Sequence, residues 1–98
     1  MSFVTTQPEL MTAVAGNLAG IGSAMSAGNA AAAGPTTAVV AAAADEVSAL
    51  TAAQFVAHAA LYQEMSAMAA EIHDLFVTTL GTSAGSYAAI EVANGAAL

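Results

Sequence analysis

The 98-residue chain contains no lysine and no arginine, so its seven acids stand unopposed and the formal charge is −7 at pH 7. Without cations there are none of the counterion-releasing phosphate contacts on which nucleic-acid binding depends, and no attraction to anionic lipid headgroups. Nucleic acid is excluded as a partner. Cysteine is also absent, which removes disulfides, thiolate metal sites and a cysteine nucleophile but leaves the redox compartment open. Bulky apolar residues are scarcer than the 58% hydrophobic content suggests: 29 residues are Ala and only 26 are Val, Ile, Leu, Met or Phe. That is too few for an independent core at this length. What remains is one small domain that needs a partner.

The mean hydropathy of +0.72 raises the question of a membrane span, and Leu10 to Ala44 carries no charge. This stretch is made of Ala, Gly, Ser, Thr and Asn with Pro35 inside it, and its bulky residues fall on one side of a helix instead of all round. It does not read as a spanning helix. The opening MSFVTTQPEL lacks the positive n-region and compact apolar h-region of a secretory signal, so an exported form would use another address.

Periodicity predicts an all-α antiparallel two-helix hairpin. Helix 1 is expected over about 8–33, beginning with Pro8 tolerated in the first turn and Glu9 near the positive end of the dipole. Met11, Val14, Leu18, Ile21, Met25, Gly28 and Ala32 form a heptad seam that Leu10 widens. The glycines here weaken a free helix by about 1 kcal/mol each; they serve either as filler or to admit a close neighbour. Gly34-Pro35-Thr36-Thr37 is a break, and a connector is expected over about 34–44. Helix 2 is expected over about 45–81, with Asp45 accepting from first-turn N–H groups and Gly81 as its stop. Its seam runs Val47, Leu50, Gln54, Ala57, Leu61, Met65, Met68, Ile72, Leu75 and Thr79, with one insertion of four. Phe55, Tyr62, Phe76 and Leu80 sit on its shoulder, making the apolar face broader than one neighbour can cover. A four-helix bundle completed by another chain solves this. Residues 82–98 read as an Ala, Ser and Gly-rich tail.

Motifs for chemistry are weak. Gly81-Thr82-Ser83-Ala84-Gly85 matches the G-x-S-x-G elbow of α/β-hydrolases, but a helix precedes it and no His follows His73, so Ser83 is not read as a nucleophile. His58 and His73 are fifteen apart, Glu71 and His73 only two apart, and no H-E-x-x-H pair exists. His58 reads as a packed, hydrogen-bonded interface residue. No catalytic, metal or cofactor site is expected. Gln54 either fixes register as a buried polar residue in the seam or reaches out at its edge.

Taken together, Ser2-Phe3-Val4, Pro8-Glu9, Pro35-Thr36-Thr37-Ala38-Val39-Val40, Asp45-Glu46-Val47-Ser48-Ala49-Leu50 and Ser86-Tyr87-Ala88-Ala89-Ile90-Glu91 resemble the mycobacterial PE family over nearly the whole chain. Pro8 and Glu9 are the dipeptide of that family. The resemblance implies a non-enzymatic PE domain that pairs with a PPE family protein into an elongated helical heterodimer, without cofactors. It implies export through a type VII (ESX) secretion system to the cell surface or beyond, after assembly in the cytoplasm. The family's Y-x-x-x-D/E signal falls on Tyr87 and Glu91, and Tyr62, with Ser66 four residues on, does not fit it. An EspG-type chaperone would touch only the PPE partner. Many relatives carry prolines after the Val-Val pair; Ala41 and Ala42 stand there instead, implying a less stiff connector and an earlier start to helix 2.

The expected partner interface comprises Leu10, Met11, Val14, Leu18, Ile21 and Met25 on helix 1. On helix 2 it comprises Val47, Leu50, Gln54, Phe55, Leu61, Tyr62, Met65, Met68, Ile72, Leu75 and Phe76. The alternative is a self-associating hairpin, a homodimeric bundle with no export role.

Overall fold

The computed structural model describes residues 4–97, and among them the regular secondary structure is all helix. Ser2 and Phe3 of the opening motif lie outside the described residues. Helix α1 spans Pro8–Thr37 and α2 spans Glu46–Ala96. By packing, the chain divides into two compact units, one made of residues up to Gly22 with those from Ile72 onward, the other of Ser23–Glu71.

Both helix starts follow the local chemistry. Pro8 is the first residue of α1, and the Leu10 N–H donates to the Gln7 carbonyl at 3.1 Å. At α2, the Asp45 carboxylate accepts from the Ser48 N–H and from the Ser48 hydroxyl, each at 2.8 Å. This cap satisfies an N–H that has no partner within the helix and fixes the start at Glu46. The earlier start suggested by Ala41 and Ala42 does not occur.

Both expected helix ends are corrected. Helix α1 does not stop at 33 but continues through Gly34 and Pro35 to Thr37, so the connector is 38–45. Proline is tolerated there because the bond it cannot donate falls on the carbonyl of Ala31, an exposed residue. Two hydroxyls support the last turn, with Thr36 Oγ1 donating to the Ala32 carbonyl and Thr37 Oγ1 to the Ala33 carbonyl, both at 2.6 Å. Helix α2 does not stop at Gly81, and the expected tail is helical to Ala96. No described glycine has a positive φ, so Gly81 never adopts the left-handed turn that would end the helix. Tertiary packing overrides its propensity: Ala84, three residues on, is only 2% exposed.

In each unit the helices run antiparallel and meet along a seam of small residues interspersed with a few larger ones. In Ser23–Glu71, Asn29, Ala32 and Ala33 of α1 are withdrawn from solvent, as are Ala52, Val56, Ala59, Gln63 and Ala70 of α2. The Tyr62 hydroxyl donates to Asn29 Oδ1 at 2.8 Å, and Gln63 Nε2 to the Asn29 carbonyl at 3.0 Å. In the other unit Met11, Ala15, Leu18 and Gly22 are withdrawn, as are His73, Val77, Leu80 and Ala84. His73 Nε2 lies 2.6 Å from the Leu18 carbonyl, which takes its proton. Among the described residues the buried apolar ones are all alanines: Ala15, Ala52, Ala59 and Ala84.

By length and composition alone α1 is apolar enough to cross a membrane, with a mean hydropathy of 1.2 in its most apolar window. It carries polar Thr12, Asn17, Ser23, Ser26 and Asn29 along that length.

Two glycine substitutions should act in opposite directions. A β-carbon on Gly22 would stand 2.7 Å from His73 Cδ2, whereas around Gly81 there is open space. We expect Gly22→Ala to lower stability by about 1–3 kcal/mol through overpacking. Gly81→Ala should raise it by about 0.5–1 kcal/mol. Urea unfolding followed by circular dichroism measures both; equal effects of one sign would show that neither site has the surroundings described.

Candidate interaction surface

The seam between the helices uses few of the large apolar side chains, and the rest face outward. In Ser23–Glu71 the exposed set is Met25 on α1 and Val47, Leu50, Phe55, Leu61, Tyr62, Met65 and Met68 on α2. In the other unit it is Leu10, Val14 and Ile21 on α1 and Ile72, Leu75 and Phe76 on α2, continued by Tyr87, Ile90 and Val92. Leu61 is 61% exposed and Ile72 67%. Of the expected interface residues, only Met11 and Leu18 are half-buried; Gln54 lies exposed among the outward residues of α2. Gln54 is therefore not a buried polar residue within this chain.

The stripe by which α2 meets α1 was not singled out by the apolar pattern. Ser48, Ala52, Val56, Ala59, Gln63, Ser66, Ala70, His73, Val77, Leu80 and Ala84 recur at steps of three and four, a second heptad series lying well round the helix from the outward one. Its signal is small size at regular spacing. His73, read in the sequence only as a poor metal ligand, is part of it. His58 is exposed and lines a cleft of about 360 Å³ with Asn29, Pro35, Val39, Phe55 and Tyr62.

Ser83 stands within α2, half-buried, and not on a turn. The strand-to-helix elbow that exposes a nucleophile is replaced here by continuous helix, and His73 is ten residues away along it, about 15 Å. Among the described residues no three His, Asp or Glu side chains gather as a metal site.

Tyr87 is exposed and Glu91 half-buried, one helical turn apart on α2. Glu91 Oε1 accepts from both the Thr6 N–H and the Thr6 hydroxyl at 2.8 Å. The Thr6 hydroxyl, and then its N–H, holds the Glu91 carboxyl below its ordinary pKa. The Ser48 N–H and hydroxyl do the same for Asp45. Beside Glu91, Thr6, Pro8, Glu9, Thr12, Ala84, Gly85 and Ala88 line an open cleft of about 480 Å³.

A carboxyl whose folded pKa is depressed stabilises the fold above its unfolded pKa and loses that contribution as pH falls through the folded value. We therefore expect stability to drop on acidification below about pH 4, and the drop to shrink in Thr6→Val and Ser48→Ala. Carbon NMR titration of the two side chains should give midpoints below the ordinary range; ordinary midpoints would remove these hydrogen bonds from the solution structure.

Residues 4–94 match the sequence profile of the PE family. The chain is 65% identical to the PE family protein PE13 of Mycobacterium tuberculosis, over 99% of this chain and 98% of that protein. It is 57% identical to the PE family protein PE8 over 99% of this chain and 35% of that one, from the same organism. Against the PE-PGRS family protein PE_PGRS33, also of M. tuberculosis, it is 60% identical over all of this chain and 20% of the relative. The chain thus spans nearly all of one such relative and about a fifth to a third of the other two.

Proposed function

This chain belongs to the PE family, and from that premise we propose that it acts without catalysis, as one half of an obligate helical heterodimer with a PPE protein. The pair is exported by a type VII (ESX) secretion system to the cell envelope or the exterior, and Tyr87 with Glu91 is the signal this chain contributes. The observation that carries the reading is the set of large apolar side chains facing outward on helices whose buried apolar residues are alanines. Surface of this extent is unfavourable in water and marks a protein contact. A partner presenting two apolar helix faces of the same heptad spacing would cover it as the other half of a four-helix bundle.

Charge narrows the partner further. With no cation in the chain, every acid at the rim of the apolar face, Glu64, Glu71 and Asp74 among them, needs either water or a basic group from the other chain. A neutral or basic rim suits this protein, and a second copy of the same chain would set −7 against −7. This argues against the homodimer.

Leu61→Asp or Ile72→Asp should abolish co-purification with the PPE partner, because an unpaired charge buried at the interface costs about 3–5 kcal/mol. Both side chains are exposed in the chain itself, so helicity of the chain should be unchanged. Retained co-purification would place these residues outside the interface. Tyr87→Ala should leave the heterodimer intact and stop export; normal amounts in culture filtrate would remove Tyr87 from the signal.

A further inference from the structure

The end of α2 has little packing of its own to hold it. After Ala84, 2% exposed, every residue from Gly85 to Ile90 is exposed, and the next one withdrawn from solvent is Glu91. Gly85 and Gly95 lie in the same stretch, and a glycine-containing helix end without buried side chains frays. Yet α2 is continuous to Ala96.

One contact that returns this end to the rest of its unit is polar. Thr6, just ahead of α1, gives both its N–H and its hydroxyl to one carboxylate oxygen of Glu91, each at 2.8 Å. Charge-assisted bonds of this kind are roughly twice as strong as neutral ones. The hydroxyl and the N–H come from one residue, so the two bonds fix the carboxylate's position as well as its distance. Tyr87 precedes Glu91 by one turn, so whatever holds Glu91 in the helix also sets where the Tyr87 ring stands. Tyr87 itself leaves 47% of its surface exposed.

We propose that Thr6 is the positioning residue for Tyr87: its clasp on Glu91 keeps residues 85–96 helical and presents the tyrosine on formed structure. Glu91 then acts within the chain, as the acceptor that ties the helix end to the entry of α1. The inference rests on the export reading of Tyr87 and Glu91 given above for its consequence, and on Thr6 and Glu91 alone for its geometry.

The test uses the full chain co-expressed with its partner, reading amide hydrogen exchange in residues 86–96 and export into culture filtrate. In Thr6→Val, which keeps the shape and the N–H but deletes the hydroxyl, exchange across 86–96 should rise threefold or more, with the rest of both helices unchanged, and export should fall several-fold. Thr6→Ser should restore both. Glu91→Ala should raise exchange in the same residues, and adding Thr6→Val to it should raise exchange no further, because the clasp is already gone. Unchanged exchange in Thr6→Val, additive effects in the double variant, or normal export from a chain whose 86–96 segment has loosened would each overturn the proposal. Normal export of Tyr87→Ala would sink the export reading instead, while the exchange data still decide whether the clasp exists.

Discussion

The His73 ring occupies the space a side chain on Gly22 would fill, and its Nε2 reaches the Leu18 carbonyl at 2.6 Å. That contact requires the two helices to approach closely, which only small residues permit, and the same condition recurs along both units in Ala15, Ala52, Ala59 and Ala84. A seam in which only alanines are buried and the few larger side chains stay half-exposed removes little apolar surface from water. It gains specificity from the polar side chains of α2 that reach backbone carbonyls of α1, His73 in one unit and Gln63 in the other. These bonds fix the register of α2 against α1 where alanine alone would not.

Everything outside follows from what the seam cannot hold. Leu61, Met65, Met68, Ile72 and Leu75 have no room between the helices and stand in solvent. Each is worth about 1.5–3 kcal/mol when fully buried, and only the smaller part of that is realised within the chain. In each unit the rest of that contribution stays with the outward side chains, available to whatever covers them. A partner that buried these side chains would stabilise the folded chain, which is the physical basis of the proposed complex.

Polar contacts manage the ends. Asp45 and Ser48 set where α2 begins, the hydroxyls of Thr36 and Thr37 close α1, and Thr6 ties the far end of α2 through Glu91. None of these involves a cation, in keeping with a chain that has none. The Asp45 and Glu91 carboxylates are satisfied by hydroxyls and backbone N–H groups instead of ion pairs. Their contribution is therefore sensitive to acid through their own protonation.

How much was legible depends on whether the signal was local. Pro8, Glu9 and Asp45 announce helix starts because a cap or a first-turn proline acts within a few residues, and the outward stripe from Val47 to Phe76 is legible because large apolar residues repeat at heptad spacing. The pairing stripe was not, since alanine and serine look alike whether they pack or face water. Gly81 and Pro35 read as breaks from their propensities, about 1 and 3 kcal/mol against helix, and packing on Ala84 and placement in a last turn overrode them. The sequence by itself determined the helical class, which rests on composition and short-range periodicity, and the PE family, which rests on short motifs along the chain. Which stripe of α2 meets α1, and the bond from Thr6 to Glu91 across 85 residues, only the tertiary structure decided, because they depend on which small residues happen to face each other once two helices are side by side.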